Sequence, residues 1–157
     1  MRRYEREITD CAQIEAILKK ASFLTLSLLD DGKPYCVPLN FGFRADGERF
    51  TLFIHGAKDG KKIDCIKNCQ TVSFCAVGFC QLVAAPFPCA WSCFYESVCG
   101  TGTATIIGSM DEKQAALECI LGKYGFEEDA VFPAEMIEKT CIIRIDVSQI
   151  SGKAHTH

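Results

Sequence analysis

The segment from His55 to Lys62 carries the residues whose types and spacing best suit ligand chemistry. It reads His-Gly-Ala-Lys-Asp-Gly-Lys-Lys and combines a histidine with two glycines and three lysines. A predicted strand ends at His55 and a predicted helix begins at Gly60. Backbone N–H groups at a helix start are unpaired and lie at the positive end of the helix dipole. Lysines at this point, namely Lys58, Lys61 and Lys62, would bind a phosphate, whereas an ordinary solvated basic turn is the alternative.

His55 itself has two interpretations. At a strand end beside a glycine loop, its imidazole could donate a hydrogen bond to a ligand or transfer protons near neutral pH. It could equally be a partly buried histidine that is bonded to the backbone. The other two histidines, His155 and His157, lie in the tail. We expect that tail to be disordered, and two histidines are too few to hold a metal well.

Pro38 interrupts a strongly β-like segment, which continues as Leu39-Asn40-Phe41. Proline cannot donate a hydrogen bond to a neighbouring strand, so this strand is an edge or faces something other than a strand. A flat ligand that takes hydrogen bonds from the strand backbone would suit such a place. An ordinary barrel edge explains the pattern equally well.

Trp91 is the only tryptophan, and it lies in an irregular stretch between Cys89 and Cys93. Its indole could stack on a ligand or pack in a subunit interface, and core packing is the alternative. A redox role for the flanking thiols would require a lowered thiol pKa, which a sequence cannot reveal.

The chain has eleven cysteines, but they do not follow the spacing of a metal site. No Cys-x-x-Cys pair occurs, and most of the cysteines lie in apolar runs, where they can act as small hydrophobic residues. An odd number of cysteines without an export signal also argues against a disulfide scaffold. We therefore predict no metal site.

Composition excludes several classes of protein. The net charge of −3 argues against a general nucleic-acid binder, because affinity for duplexes depends on neutralised phosphates. No apolar stretch approaches the roughly 18 residues needed to span a bilayer. The charged N-terminus from Met1 to Glu7 leads into no apolar segment, so no secretory signal is predicted and the cytoplasm is the expected compartment.

A length of 157 residues fits one domain, so residues 1–157 are expected to form a single domain.

The elements that must position these residues alternate between short strands and helices. Helices are predicted over residues 10–21, 60–68 and 109–122, the first and third with capping residues, and Pro133 opens a further helical turn. Strands are predicted over 23–29, 34–43, 50–55, 71–77, 94–107 and 141–147. Glycine-containing turns at 30–33 and 45–48 join the first three into a meander, a loop covers 56–59, and residues 78–92 are the least regular. The prediction is a mainly β (α+β) fold: a six-stranded antiparallel barrel with flanking helices, because closure removes exposed sheet edges.

Two blocks of sequence carry a family resemblance, Val-Pro-Leu-Asn-Phe-Gly at 37–42 and His-Gly-Ala-Lys-x-Gly-Lys-Lys-Ile-Asp at 55–64. The chain resembles the pyridoxamine 5′-phosphate oxidase-like, FMN-binding split-barrel family, especially its branch related to nitroimidazole-resistance proteins. The resemblance runs from the Met1-Arg2-Arg3 start, through the Tyr95 to Gly102 segment, to Ile150-Ser151-Gly152-Lys153-Ala154.

The resemblance implies a split barrel that forms a homodimer with FMN at the subunit interface. The backbone of Val37, Pro38, Leu39 and Asn40 would line the flavin ring. His55 and Gly56 would touch the ribityl chain or the ring edge. The phosphate would be held by Lys61 and Lys62, with Lys58 as a third cation and Gly60 between them. Ser97 would lie near the flavin, and Trp91 could come from the partner subunit.

The sequence departs from the family pattern in two places. The phosphate pair is Lys-Lys where an arginine is commoner, and lysine lacks the bidentate fork. Residues 150–157 do not match the substrate-binding residues of true pyridoxamine-phosphate oxidases, so oxidation of vitamin B6 is not predicted. Branches of the family also bind deazaflavin or haem.

The predicted function is that of an FMN-dependent oxidoreductase that reduces small flat acceptors such as nitroaromatics, with His55 as its proton donor. Two alternatives remain: a flavin-binding electron carrier without a dedicated substrate, and a structural dimer that binds no flavin.

Overall fold

The computed structural model describes residues 3–126 and 131–156, which form eight β-strands and four α-helices. The strands are β1 (Glu7–Ile8), β2 (Leu24–Asp30), β3 (Lys33–Leu39), β4 (Gly42–Asp46), β5 (Arg49–Ala57), β6 (Thr71–Val83), β7 (Ser92–Ile107) and β8 (Thr140–His155). The helices are α1 (Cys11–Lys20), α2 (Lys61–Asn68), α3 (Met110–Lys123) and α4 (Ala134–Lys139). Short 3₁₀ turns lie at Tyr4–Arg6 and Pro88–Ala90.

The strands form one antiparallel sheet in the order β3-β2-β6-β7-β8-β5-β4, and β1 pairs with β8. The predicted fold class is confirmed: a mainly β fold with flanking helices. β3 pairs with β2 alone among the described strands, so the prediction that Pro38 marks a sheet edge is confirmed. The strand count is eight rather than six, because β1 was not predicted and the predicted second strand is two strands.

The predicted meander is wrong. The chain leaves β3 after Leu39 and begins β4 at Gly42, so residues 34–43 are not one strand. The β2–β3 and β4–β5 hairpins therefore lie at opposite ends of the sheet order. Gly42 makes the crossover possible, because a Cβ at this position would lie 2.7 Å from the backbone nitrogen of Ile120 in α3.

Four strands are longer than predicted, and β7 gains two residues at its start. β5 continues through Ala57, so the predicted loop 56–59 begins two residues later. β6 runs to Val83 and pairs with β7 from Ser92, so most of residues 78–92 form a long hairpin arm. β8 extends to His155, whose Nδ1 lies 3.0 Å from the Cys93 carbonyl oxygen. The expected disorder of His155 is therefore wrong, because pairing with β7 satisfies its backbone. The predictions for Met1, Arg2 and His157 lie outside the described residues.

The predicted helices are confirmed, and local capping fixes two of their starts. The Asp10 side chain accepts a hydrogen bond from the Gln13 N–H at 2.9 Å, and Ser109 caps α3 in the same way through Glu112. Pro133 precedes the short α4, as predicted. The helical turn predicted after Pro133 is the six-residue helix α4, so the structure has four α-helices where three helices and a turn were predicted.

Two apolar clusters hold the fold together. The larger cluster packs α1 and α2 against one face of the sheet, and it contains side chains such as Leu24, Ile54 and Ile143. The smaller lies between α3 and the other face of β5, around Phe53. Among the described helices, none is long and apolar enough to cross a membrane.

Candidate functional site

The start of helix α2 is open to a ligand. Gly60 precedes the helix with φ +130°, a conformation that side-chain-bearing residues rarely adopt, and no side chain caps the first turn. The Gly60 carbonyl oxygen accepts hydrogen bonds from the N–H groups of Ile63 and Asp64, which begins the helix. The earlier N–H groups, at Lys61 and Lys62, are left to point outward at the positive end of the dipole.

Lys62 lies directly over the backbone of Gly56 in β5. A Cβ at Gly56 would lie 2.7 Å from the Lys62 Nζ and 3.0 Å from its Cε. Only glycine therefore allows the lysine side chain to occupy this position. The ammonium group of Lys62 therefore lies against the end of strand β5.

Lys61 extends in the other direction, to the β2–β3 hairpin. Its Nζ lies 2.7 Å from the Asp30 carboxylate and 4.8 Å from the centre of the Tyr35 ring. The hydrogen bond to Asp30 and the attraction of its negative charge raise the pKa of Lys61. The two adjacent lysines thus join β5 to the β2–β3 hairpin, which are separated in the sheet order.

Further positive charge surrounds the same strand end. Cys141 lies opposite Gly56 in the β5–β8 ladder. Burial raises the pKa of the Cys141 thiol, and four lysines oppose this rise through their charge: Lys113, Lys62, Lys67 and Lys58. Lys113 is buried, with 8% of its surface exposed, and its Nζ donates a hydrogen bond to the Thr140 carbonyl at 2.8 Å. The arrangement suits an anionic group.

Strand β3 leads away from the lysines, and one of its edges pairs with no other described strand. Val37 and Leu39 pack against the core, while Pro38 and Asn40 are exposed. Pro38 lies three residues from Tyr35, or about 10 Å along an extended strand. An elongated ligand with its anion at Lys61 could therefore lay its other end along Val37 to Asn40.

A hydroxyl from the end of α3 secures the end of β3. Tyr124 donates a hydrogen bond to the Ser22 carbonyl at 2.6 Å. The Asn40 side chain and the Phe41 N–H both donate to the Tyr124 hydroxyl oxygen, each at 3.2 Å. Asn40 therefore has a structural partner within the chain. This network positions the crossover from β3 to β4.

The structure does not bring the His55 side chain to the lysines. His55 is exposed, and its neighbours Ile54 and Gly56 lie on the opposite face of β5. Since side chains alternate along a strand, His55 shares the face of Phe53, whereas Lys62 packs over Gly56. Within one chain, the sheet therefore separates the His55 imidazole from the lysine pair at the start of α2.

Ser97 and Trp91 are also distant from the lysine pair. Ser97 lies opposite Lys153 in β8, whereas Gly56 lies opposite Cys141 near the other end of that strand. The path along β8 between these two rungs is on the order of 40 Å. Trp91 directly precedes β7 in the chain, and 56% of its surface is exposed. The twelve predicted site residues are therefore not all brought together in one chain, since His55, Ser97 and Trp91 lie apart from the lysine pair.

The sequence analysis missed several residues of the lysine site. Asp30, Tyr35 and Lys113 contact or surround it, yet each comes from an element distant in sequence. No local pattern marks Asp30 or Tyr35, because their position depends on contacts between distant segments. Lys113 alone carried a signal: it falls on the apolar face of the predicted helix α3. Within residues 3–126 and 131–156, no group of three or more His, Cys, Asp or Glu side chains could hold a metal ion.

The sequence and the fold are similar to those of known proteins. Residues 10–154 match the sequence profile of the family described as pyridoxamine 5′-phosphate oxidase. No functionally curated protein matches the chain significantly.

Solved structures share the fold over almost the whole chain. A candidate 5-nitroimidazole antibiotic resistance protein from Bacteroides thetaiotaomicron VPI-5482 is 28% identical, with a TM-score of 0.82 over 94% of this chain and 86% of that one. The flavocytochrome Anf3 from Azotobacter vinelandii is 21% identical, with a TM-score of 0.81 over 100% and 72%. An FAD- and haem-binding protein from Mycobacterium smegmatis is 20% identical, with a TM-score of 0.80 over 97% and 74%.

Proposed function

The chain belongs to the pyridoxamine 5′-phosphate oxidase family, and from that membership we propose that it binds FMN and acts as a flavin-dependent oxidoreductase. The observation that carries the proposal is the lysine pair at the start of α2. The two lysines extend from an uncapped helix start, Lys61 toward the β2–β3 hairpin and Lys62 over Gly56. Strand β3 lies beside Lys61 and has an outer edge that pairs with no other described strand. This geometry fits a ligand with a phosphate at one end and a flat ring at the other.

The residues at the helix start fit a phosphate. Gly60 provides a backbone turn without a side chain, so a phosphate can approach the N–H groups of the first helical turn. Lys62 already lies over Gly56, and Lys58 adds charge from the preceding turn. Lys61 would exchange the Asp30 carboxylate for the phosphate. The site binds through point charges, since it has no arginine fork.

The residues of β3 fit a flat polar ring. The backbone from Val37 to Asn40 would supply hydrogen bonds at the ring edge, because the outer edge of β3 is not paired with another described strand. Pro38 leaves one of these positions without an N–H donor, which favours contact with an apolar part of the ring. A bound flavin would supply the electron-transfer chemistry, and the protein would supply orientation and hydrogen bonds.

A second copy of the chain would complete the site. Ser97 and Trp91 cannot reach the lysine pair within one chain, so their proposed contacts with the flavin require a homodimer. The arm that carries Trp91 exposes large apolar side chains, with Leu82 73% and Phe87 70% exposed. Contiguous exposed apolar surface is typical of an interaction site. Near Ser97, a groove of about 570 Å³ crosses β2, β6, β7 and β8 on the outer face of the sheet.

The proposed substrate is a small flat acceptor such as a nitroaromatic compound. The similarity at 28% identity to a candidate 5-nitroimidazole resistance protein supports this class. His55 is the proposed proton donor to the acceptor. Because its ring lies on the face opposite Lys62, a His55→Gln variant should retain flavin and lose turnover. A variant that loses flavin would contradict this separation of roles.

A flavin-binding electron carrier is the second candidate. The flavocytochrome Anf3, at 21% identity, shares the fold alone. A flavin held at the lysine site could pass electrons on without a dedicated substrate. Steady-state turnover with a chemical reductant and a panel of acceptors separates the two functions. An oxidoreductase should discriminate among acceptors of similar potential, whereas a carrier should not.

The flavin proposal is tested by the visible spectrum of the purified protein, before and after addition of FMN and desalting. We expect a retained flavin spectrum at about one flavin per chain. The Lys61→Ala/Lys62→Ala variant should lose it. The matched control is Lys19→Ala/Lys139→Ala, which removes the same charge from two surface ion pairs. Equal retention in both double variants would contradict the phosphate assignment.

A further inference from the structure

Two cysteines lie in contact on the hairpin arm, away from the lysine site. The Sγ atoms of Cys80 in β6 and Cys93 in β7 are 3.4 Å apart. Cys80 lies opposite Tyr95, and Cys93 lies opposite Leu82, so the two cysteines are diagonal neighbours on adjacent strands. Cys80 is exposed and Cys93 is partly buried.

A β-bulge brings the two thiols to the same face. The register of β6 with β7 shifts between Val77 and Phe79, which inserts one extra residue into β6. Before the bulge, Cys75 lies opposite Cys99 on the outer face of the sheet. Because a bulge reverses the alternation of side chains, Cys80 returns to that same face. Regular alternation would have turned Cys80 away from Cys93.

We propose that Cys80 and Cys93 are a redox-active pair that forms a reversible disulfide by exchange with a low-molecular-weight disulfide such as oxidised glutathione. A disulfide bond is about 2.05 Å long, so the sulfurs must approach by a little over 1 Å. A two-stranded arm that is joined to the barrel at its base can supply this movement. The pair lies outside the lysine site, so the proposal does not depend on flavin binding.

The exchange balances in two steps. The thiolate of one cysteine attacks the external disulfide, whose S–S bond breaks and whose leaving sulfur takes up a proton as a free thiol. The second cysteine loses its proton and attacks the mixed disulfide, which forms the Cys80–Cys93 bond and releases the second external thiol. Two protein thiols are oxidised while one external disulfide is reduced to two thiols.

The raised pKa of Cys80 suits it to the second step, in which a thiol held beside the mixed disulfide resolves it. The hydrogen bond to Cys93 and repulsion from its sulfur raise the pKa of Cys80. A contact pair of this kind ionises one sulfur at a time, since each thiolate hinders the second ionisation. One thiolate can then attack while the neighbouring thiol remains available to resolve the mixed disulfide.

A second cross-strand pair on the same strands provides an internal comparison. Cys75 and Cys99 lie directly opposite each other. Burial and the contact with Cys75 raise the pKa of Cys99 to about 11. At about pH 8, only about one Cys99 side chain in a thousand would be ionised, so attack from this sulfur should be slow.

The test exposes the full-length protein, as purified, to excess oxidised glutathione at about pH 8 and maps its cysteines by mass spectrometry after alkylation. We expect a peptide pair linked through Cys80 and Cys93, two hydrogens lighter than its reduced form and separated again by a thiol reductant. Cys80→Ser and Cys93→Ser should each abolish the link, and Cys75→Ser should retain it.

A second measurement does not depend on the variants. After oxidation of the native protein, unfolding and chymotryptic cleavage at Trp91, which lies between the two cysteines, should yield fragments that stay joined until they are reduced. Fragments that separate without reductant would overturn the proposal. Glutathione found singly on Cys80 and on Cys93, or a dominant Cys75–Cys99 link, would overturn it as well.

Discussion

Replacing Gly56 with alanine tests whether FMN binding depends on the position of Lys62 over Gly56. The new Cβ would lie 2.7 Å from the Lys62 Nζ, so the ammonium group must move away. The contact involves the end of a flexible side chain rather than the backbone. Gly56 also lacks a positive φ, so alanine fits its backbone conformation. We therefore expect Gly56→Ala to displace Lys62 while leaving the fold intact.

The expected magnitude follows from the loss of one charged contact. A hydrogen bond to a charged group contributes about 1.5–3 kcal/mol, so the Kd for FMN should rise roughly 10- to 150-fold. The stability of the flavin-free protein should change by less than about 1 kcal/mol, because glycine-to-alanine changes at compatible sites are mildly stabilising through the unfolded state. Lys62→Ala should weaken FMN binding to a similar extent. Adding Gly56→Ala to it should have little further effect, because both changes remove the same contact.

The assay is fluorescence titration of the flavin-free protein with FMN, together with its urea unfolding curve. Gly42→Ala is the matched control, since its Cβ would meet the backbone of α3 at 2.7–2.8 Å. That variant should lose about 1–3 kcal/mol of stability, because packed backbone cannot move aside as a side chain can. An unchanged FMN affinity in Gly56→Ala would refute the reasoning, and so would a fully additive effect in the double variant.

Three further predictions follow from contacts elsewhere in the chain. Asp30→Asn should tighten FMN binding in the same titration, because the Lys61 ammonium group is released from a competing carboxylate; weaker binding would mean that Asp30 positions the lysine. Gly78→Ala should lower the free energy of unfolding by about 1–3 kcal/mol in urea, because its Cβ would lie 2.7 Å from the Ile17 carbonyl oxygen in α1. The pKa of Cys99 is raised from 9.0 to about 11, so its contribution to stability is fully present below pH 9 and is lost as the pH rises toward 11. Over that range, thermal unfolding of the wild type should lose more stability than that of Cys99→Ser, and parallel curves would contradict the raised pKa.

Local signals in the sequence were sufficient for the elements that depend on neighbouring residues. The Asp10 and Ser109 caps predict the starts of α1 and α3, because capping involves residues three apart in the chain. Pro38 predicts an edge strand, because a missing N–H is a property of one residue. The glycines and lysines of residues 55–62 likewise predict a strand, a turn and a helix start in the right order.

The arrangement of these elements depends on contacts between distant segments, and only the tertiary structure decided it. Alternation runs without interruption through residues 34–43, so it does not reveal the crossover that sends β3 and β4 to opposite ends of the sheet. The partner of Lys61 is Asp30, which is distant in sequence and becomes a neighbour only when the barrel closes.

The same reason explains why the sequence left the cysteines without a role. The contact of Cys80 with Cys93 depends on a bulge near Gly78, and that glycine is required because α1 packs directly on it. A one-residue shift in register moves a side chain to the other face of the sheet. The sequence by itself therefore determined which residues could bind, cap or turn, and the folded sheet determined which of them meet.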